Sequence, residues 1–430
     1  MSIYNRALTI TLTALFTAIA ALPVTAKPTS PLWFEHTDIT MPRNIQALVL
    51  ENGIRLVLVA TPNKQQALEL RLRVGAGVAQ EPSYLPVSRV LANQIIGDSK
   101  WSATTDYQQT VYSLSTINDS QHSLEGALDF IETSFSQQSF VQQAWKQSAN
   151  LTDYPTVVSQ NQLDSLELGK STSPVTETSA SQVQLEDLEH YFSRYYVPTN
   201  MTLVIVGGFK ARTLQNKVQK AFSQWHNPTP LTKTQQPALT MGNNGISGTQ
   251  GKHSVSLSAL AHVSDDVDSK LMRKDLLLAT IANQILEHRI ESALANVHSS
   301  ATVSVKNEIL FNQKLLSQVL VSKIPDGEQQ ATKQIVEQEI KTALTVGFTH
   351  SEYEAAVSEI RLNKQAELVA FRQAGPAAMA DRMVDAIDNG SVYTTPSFEL
   401  ELIDFHVAHL SEIDISKEFE KIWAHKLKSI

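Results

Sequence analysis

Between Leu68 and Val74 the chain reads Leu-Glu-Leu-Arg-Leu-Arg-Val, a strict alternation of apolar and charged residues. That period of two predicts a strand with one face on a core. Upstream, two β-rich runs at 45–50 and 54–59 flank Glu51-Asn52-Gly53. The Asn-Gly pair accepts positive φ, so a hairpin with a type I′ turn is expected there. Residues 85–97 set Val87, Val90, Leu91 and Ile95 at helical spacing, 110–115 reads as a strand, and 124–135 as an amphipathic helix. After a polar, loop-like stretch at 156–184, a helix at 185–196 is stopped by Pro198. An apolar strand follows at 201–206, ended by Gly207-Gly208, and then a helix at 211–225.

Asn227-Pro-Thr-Pro230 and the polar, glycine-bearing run 232–252 have linker composition. Beyond them, 254–261 and 315–322 read as strands, and 269–297 as one long helix. Further helices are expected at 327–346, 349–372, 376–387 and 411–423. The second half echoes the first in architecture, without a sequence repeat. The pattern predicts an α+β fold of two related domains, 40–226 and 253–430, joined by 227–252. Each is a mainly antiparallel sheet covered by helices.

Composition narrows the function. The 430 residues carry 35 Lys+Arg against 43 Asp+Glu, with no basic block, which argues against nucleic acid as a partner. Arg6 precedes an uncharged run at 7–22, and Val24-Thr25-Ala26 offers small residues before a cleavage point. These features predict a signal peptide over 1–26, export to the periplasm or beyond, and no retained membrane span. The chain has no cysteine, so disulfides and thiolate metal ligands are excluded.

Five segments, in order, resemble the pitrilysin/insulinase (inverzincin) family of zinc peptidases. They are Leu50-Glu-Asn-Gly-Ile-Arg-Leu56, Leu72-Arg-Val-Gly-Ala-Gly-Val-Ala-Gln-Glu81, Ser102-Ala-Thr-Thr-Asp-Tyr-Gln-Gln-Thr-Val-Tyr112, Phe192-Ser-Arg-Tyr-Tyr-Val-Pro-Thr-Asn-Met201 with the strand to Gly207, and Gly347-Phe-Thr-His-Ser-Glu352. The resemblance implies two α+β domains forming half of a clamshell chamber. It also implies a partner: a second half carrying the H-x-x-E-H zinc motif, or another copy of the same chain. Family members bind extended peptides along a sheet edge. The matching stretch here is 102–115, which makes Ser102, Thr104, Asp106, Thr110 and Tyr112 candidate substrate contacts.

The departures concern the chemistry. In H-x-x-E-H, two His one turn apart bind zinc and the Glu activates the metal-bound water. The matching positions are Ser88-Arg-Val-Leu-Ala92, so Ser88, Leu91 and Ala92 replace both His and the Glu. The family's third ligand is a Glu on a later helix. Here that helix is expected from Phe140, and the matching Asn150-Leu-Thr-Asp-Tyr-Pro-Thr156 has no Glu, only Asp153 ahead of the helix-breaking Pro155. Zinc is thus implied by the resemblance but its ligands are missing, and no cofactor is expected. Non-catalytic halves often hold substrate with an Arg and a Tyr of the second domain. The matching helix keeps Arg289 without the Tyr, so Arg289 is either a salt-bridge residue or a substrate clamp.

Three functions follow. The first is a non-catalytic half pairing with a zinc-bearing one; the second is a stand-alone, chaperone-like peptide binder. The third is a metallopeptidase with relocated chemistry at His406-Val-Ala-His409, whose i, i+3 spacing with Asp404 and Glu412 nearby permits a metal. Glu189-His190 lacks a first His, and Gly242-Asn-Asn-Gly-Ile-Ser-Gly248 lacks the spacing of a phosphate loop.

Overall fold

The computed structural model describes residue 32, residue 34 and residues 37–62, 67–81, 85–117, 121–136, 180–225, 245–249, 252–263, 268–310 and 314–424. Its first sheet contains β1 (Ile45–Val49), β2 (Arg55–Ala60), β3 (Ala67–Val74), β4 (Ser102–Thr105), β5 (Thr110–Ile117) and β6 (Met201–Gly207). Their order is β1-β2-β6-β3-β5-β4; β2 and β6 run parallel and every other pair antiparallel. The second sheet has β7 (Gly245–Thr249), β8 (Lys252–His262), β9 (Thr302–Leu310) and β10 (Lys314–Ile324) in the order β7-β8-β10-β9, all antiparallel.

Helices α1 (Val87–Ile96), α2 (Gln121–Phe135), α3 (Leu185–Tyr195) and α4 (Ala211–Ala221) cover one face of the first sheet. There the inward positions Leu56, Leu58, Leu70, Leu72, Leu203 and Ile205 meet Val90, Ile131, Phe192 and Val218. The second sheet has its own core, to which α5 (Lys270–Asn296), α6 (Gln329–Val346), the start of α7 (His350–Asp388) and α9 (Glu412–Trp423) contribute; α8 (Pro396–Val407) packs beside them. The two related α+β layers expected from the pattern are present.

The end of α7 ties the layers together. Ala380, Met383, Val384 and Ile387 pack on Val57, Val59, Val204 and Val206, the other face of the first sheet. β3, expected to be half-buried, is therefore covered on both sides. Its charged residues are held by ion pairs: Arg71 Nε lies 2.7 Å from Asp381, Arg71 Nη1 3.0 Å from Glu69, and Arg73 Nη2 2.6 Å from Asp388. Alternation along a strand reports two faces of different polarity. It does not report whether the polar face meets water.

Other differences have local causes. The first hairpin closes over Glu51-Asn52-Gly53, with Leu50 N donating to Ile54 O at 2.8 Å and positive φ at Gly53 alone of the three. That is a longer loop than the expected type I′ turn. Part of the stretch read as linker, Gly245–Thr249, pairs with β8 as an edge strand. The strand Thr302–Leu310 and the helix Pro396–Val407 were not expected. Their apolar positions are diluted by Lys306, Asn307 and Glu308 in one, and by Glu399, Glu401 and Asp404 in the other. The helices expected at 349–372 and 376–387 form one element, kinked at Gly375. The predicted signal peptide, the expected helix from Phe140 and the Asp153–Pro155 region lie outside the described residues.

Arg73 and Asp388 are both mostly buried, whereas Asp381 is largely exposed. Removing one member of a buried pair strands the other, while an exposed partner is replaced by water. Asp388→Ala is therefore expected to cost about 2–3 kcal/mol and Asp381→Ala less than about 1 kcal/mol in urea unfolding. Equal losses would remove the assigned role of Asp388.

Candidate functional site

Helix α1 carries the positions that match H-x-x-E-H. Ser88, Leu91 and Ala92 are each fully buried, at 0% exposure. The helix starts after Pro86, with no side-chain cap of its own. Its N-terminal charge is met instead by Glu81, whose Oε1 accepts from Ser88 N at 3.0 Å and from Ser88 Oγ at 2.5 Å. A carboxylate there satisfies an orphan amide and sits favourably against the helix dipole. Arg89 lies 3.5 Å from the other Glu81 oxygen, with both side chains buried. Tyr191 covers the preceding glycine turn, donating its hydroxyl to Gly77 O at 2.8 Å.

This donor set does not fit zinc. α1 offers a hydroxyl and two hydrocarbon side chains where two imidazoles and a carboxylate would be needed. The nearby carboxylate, Glu81, is committed to Ser88 and Arg89. Among the described residues no group of three His, Cys, Asp or Glu is arranged to hold a metal ion.

The stretch 102–115, expected as one strand, is a hairpin: β4 turns through Asp106–Gln109 into β5. Asp106 shapes the turn, accepting from Gln108 N at 3.0 Å and from Gln109 N at 2.9 Å. Burial and the charge of Asp388 push its carboxyl up to about 6. The glycine turn before α1 docks on the same loop. Val78 N and Ala79 N donate to the carbonyls of Asp106 and Tyr107, and a Cβ on Gly77 would lie 2.3 Å from Asp106 O.

β4 is an outer strand of its sheet. Asp106 N donates to Gln109 O, which marks a hydrogen-bonded pair. Antiparallel pairs alternate, so Thr104–Val111 and Ser102–Ser113 are hydrogen-bonded while Ala103 and Thr105 turn their N–H and C=O groups away from β5. Ser102 and Thr104 are exposed and Ala103 is half-buried, but Thr105 is fully buried. Thr110 and Tyr112, expected as substrate contacts, belong to the core instead. Thr110 Oγ1 donates to Ala76 O at 2.9 Å, and the hydroxyls of Tyr112 and Tyr196 meet at 2.8 Å. Period-two spacing could not separate an outer strand from its neighbour. In the second sheet the outer strand β9 gives one backbone donor to a side chain: Glu287 accepts from Val305 N at 2.8 Å.

Arg289 is a structural residue. Its Nε and Nη2 reach Glu352 at 2.6 and 2.8 Å, and Nη2 also donates to Gly347 O at 3.0 Å. The guanidinium lies over the Phe348 ring, 4.9 Å from its centroid. His406 sits buried in the last turn of α8, while His409 is exposed with Nδ1 3.1 Å from Phe405 O. Asp404 pairs with Arg361 and Glu412 with His350, so the group is divided among separate interactions. Sequence reasoning missed Glu81. Its signal was a carboxylate just ahead of a helix that lacks a capping side chain.

Residues 182–359 match the family described as "Peptidase M16 inactive domain". The chain is 19% identical over 461 residues to the "Probable zinc protease PqqL" of Haemophilus influenzae, covering 96% of this chain and 48% of that protein. It thus spans about half the length of that relative. Among solved structures, a "Predicted insulinase family protease from Yersinia pestis" superposes with a TM-score of 0.68 at 18% identity, covering 89% of this chain and 90% of that one. The first half of the periplasmic protease PqqL from Escherichia coli gives a TM-score of 0.68 at 14% identity, with 89% and 90% covered. At these identities the superpositions speak for the fold.

Replacing Glu81 removes the charge that meets both α1 and Arg89. Glu81→Gln is expected to lower unfolding free energy by about 2 kcal/mol, and Ser88→Ala by about 1 kcal/mol. An unchanged urea midpoint for Glu81→Gln would contradict the capping role. A second test uses Glu352, whose carboxyl falls from 4.5 to about 2, chiefly through the Arg289 hydrogen bond. A depressed carboxylate pKa stabilises the fold fully above the unfolded value, and that stability is lost as pH falls through the folded value. The Tm gap between wild type and Arg289→Met should therefore narrow as pH drops from 4.5 towards 2. A gap independent of pH would argue against this pair.

Proposed function

The chain belongs to the peptidase M16 (pitrilysin/insulinase) family, in a form without H-x-x-E-H, and from that premise we propose that it is an exported, non-catalytic half that holds extended peptides for a zinc-bearing partner half. The observation that carries this reading is the contrast between its two candidate sites. The former zinc helix is closed: Ser88, Leu91 and Ala92 are buried and Glu81 is bound within the protein. The β4 edge stays open at its start: half-buried Ala103 directs its backbone donor and acceptor away from β5, beside exposed Ser102 and Thr104, whereas Thr105 is fully buried.

Strand addition needs no particular side chain, since main-chain hydrogen bonds give the affinity. It can therefore persist after a metal site is lost. Export is supported by the residues at 1–26 and by the periplasmic setting of the Escherichia coli relative. No described helix is long and apolar enough to cross a membrane. The open edge equally supports a stand-alone, chaperone-like peptide binder. The presence or absence of a partner half separates the two readings.

Proline has no N–H to donate to an added strand. Ala103→Pro is expected to weaken binding of an unstructured peptide by roughly five- to tenfold, the worth of about one net hydrogen bond. Ser102→Ala and Thr104→Ala should leave binding within about twofold, because the main chain supplies the contacts. Fluorescence anisotropy with a labelled peptide library measures both. Unaltered binding in the proline variant would refute the edge site. Recovery of the tagged chain from its native cell without any H-x-x-E-H companion would favour the stand-alone reading.

A further inference from the structure

Helix α7 belongs to both halves of the molecule. Tyr353, Ala356, Val357 and Ile360 on its first limb lie in the core of the second sheet. Ala380, Met383, Val384 and Ile387 on its second limb lie against the first sheet. Between the limbs Gly375 adopts φ 69°, ψ −149°, and Pro376 follows. The residue before proline is steered away from helical geometry, and glycine accepts positive φ without strain. The Gly-Pro pair thus ensures a break in the helix but leaves its angle soft. A Cβ built at Gly375 meets no atom within 4 Å, so no neighbour crowds the break on that side.

Four charged side chains do span the break. From the first limb, Lys364 Nζ lies 2.7 Å from Glu367 and 2.8 Å from Glu399 on α8. From the second limb, Arg382 Nη1 lies 2.7 Å from Glu367, Nη2 binds Glu399, and Nε donates to Thr394 O at 3.0 Å. Arg382 also stands over the ring of Phe371. The arrangement continues outward: Thr394 Oγ1 donates to Glu399 at 2.9 Å and accepts from Arg273, which pairs with Asp268 at 2.7 Å. Burial opposes ionisation of Lys364, Glu367, Arg382 and Glu399. Their partners outweigh it, holding both carboxyls below and both cations above their usual values.

We propose that Gly375 is a hinge between the two α+β halves, and that the Lys364–Glu367–Arg382–Glu399 quartet is the clasp that sets its angle. The second limb rides on the first sheet through Arg71 and Arg73, so a change at Gly375 turns that sheet relative to the second one. The β4–β5 turn and β9 report the change. They lie near each other across the halves, with Glu308 pushed up to about 7 by burial and by the charge of Asp106. This device does not depend on what β4 binds.

The absence of cysteine allows a direct measurement. Lys100→Cys and Lys306→Cys, both at exposed positions, carry a spin-label pair on the two halves of the full chain. The distance distribution is recorded by pulsed electron spin resonance. In the parent it should be single and narrow. With Glu367→Gln plus Glu399→Gln, the mean should shift or the distribution widen by roughly 5 Å, the scale of one element moving a turn past another. Raising salt to about 1 M on the parent shortens the screening length to about 3 Å and should produce the same trend without any clasp substitution. An unchanged distribution in a double variant that keeps its far-UV circular dichroism overturns the clasp. If that variant does not fold, the salt series alone decides, and a distance insensitive to salt overturns the proposal.

Discussion

The grip of β3 on the end of α7 is the interaction on which the rest of this structure depends. A six-stranded sheet with one helical layer has a second face that must be covered. Here the cover comes from more than 300 residues further along the chain, as the Arg71–Asp381 and Arg73–Asp388 contacts show. The valines of β2 and β6 supply apolar area, and the arginines of β3 fix where the helix lies on it. Ion pairs in such a place contribute little net stability, because desolvation offsets attraction. What they add is register. The first half is complete only when the second has folded onto it.

The same economy governs α1, at the positions that match the family's zinc motif. A zinc ion organises several side chains around one charge, and a family member without it must satisfy those surroundings differently. In this chain Glu81 meets the start of α1 and the charge of Arg89, while Leu91 and Ala92 join the core. The helix is retained because the core needs Val87, Val90 and Ile95, not because of any chemistry on its other face.

Much of this architecture is legible in the residues. Apolar periodicity locates α5, α6, α9, β6 and β10, and the alternation at 68–74 locates β3. The resemblance, carried by short motifs around glycines, prolines and the hairpin, orders those elements into two layers. Burial of the polar face of β3 is not legible, because its partner Asp388 is distant in sequence. Nor is the difference between Thr104 at the edge and Thr110 in the core. Both are threonines in one β-rich run, and only the turn at Asp106–Gln109 puts them on different strands. Arg289 was recognisable as a charged residue in an apolar helix, but its commitment to Glu352 becomes plain only once α5 and α7 are side by side.

The closed surroundings of Ser88 also bear on reversibility. Descent from a zinc enzyme is usually pictured as erasure, with the old letters recoverable by restoring three residues. Here the vacated volume has been reassigned. Imidazoles at 88 and 92 would enter space already filled at 0% exposure, and overpacking a core costs on the order of 1–3 kcal/mol for each such change. A carboxylate at 91 would add an unpaired charge at a fully buried position. Each single step towards H-x-x-E-H would be deleterious before any gain in activity, so the motif cannot be introduced one residue at a time without loss of stability.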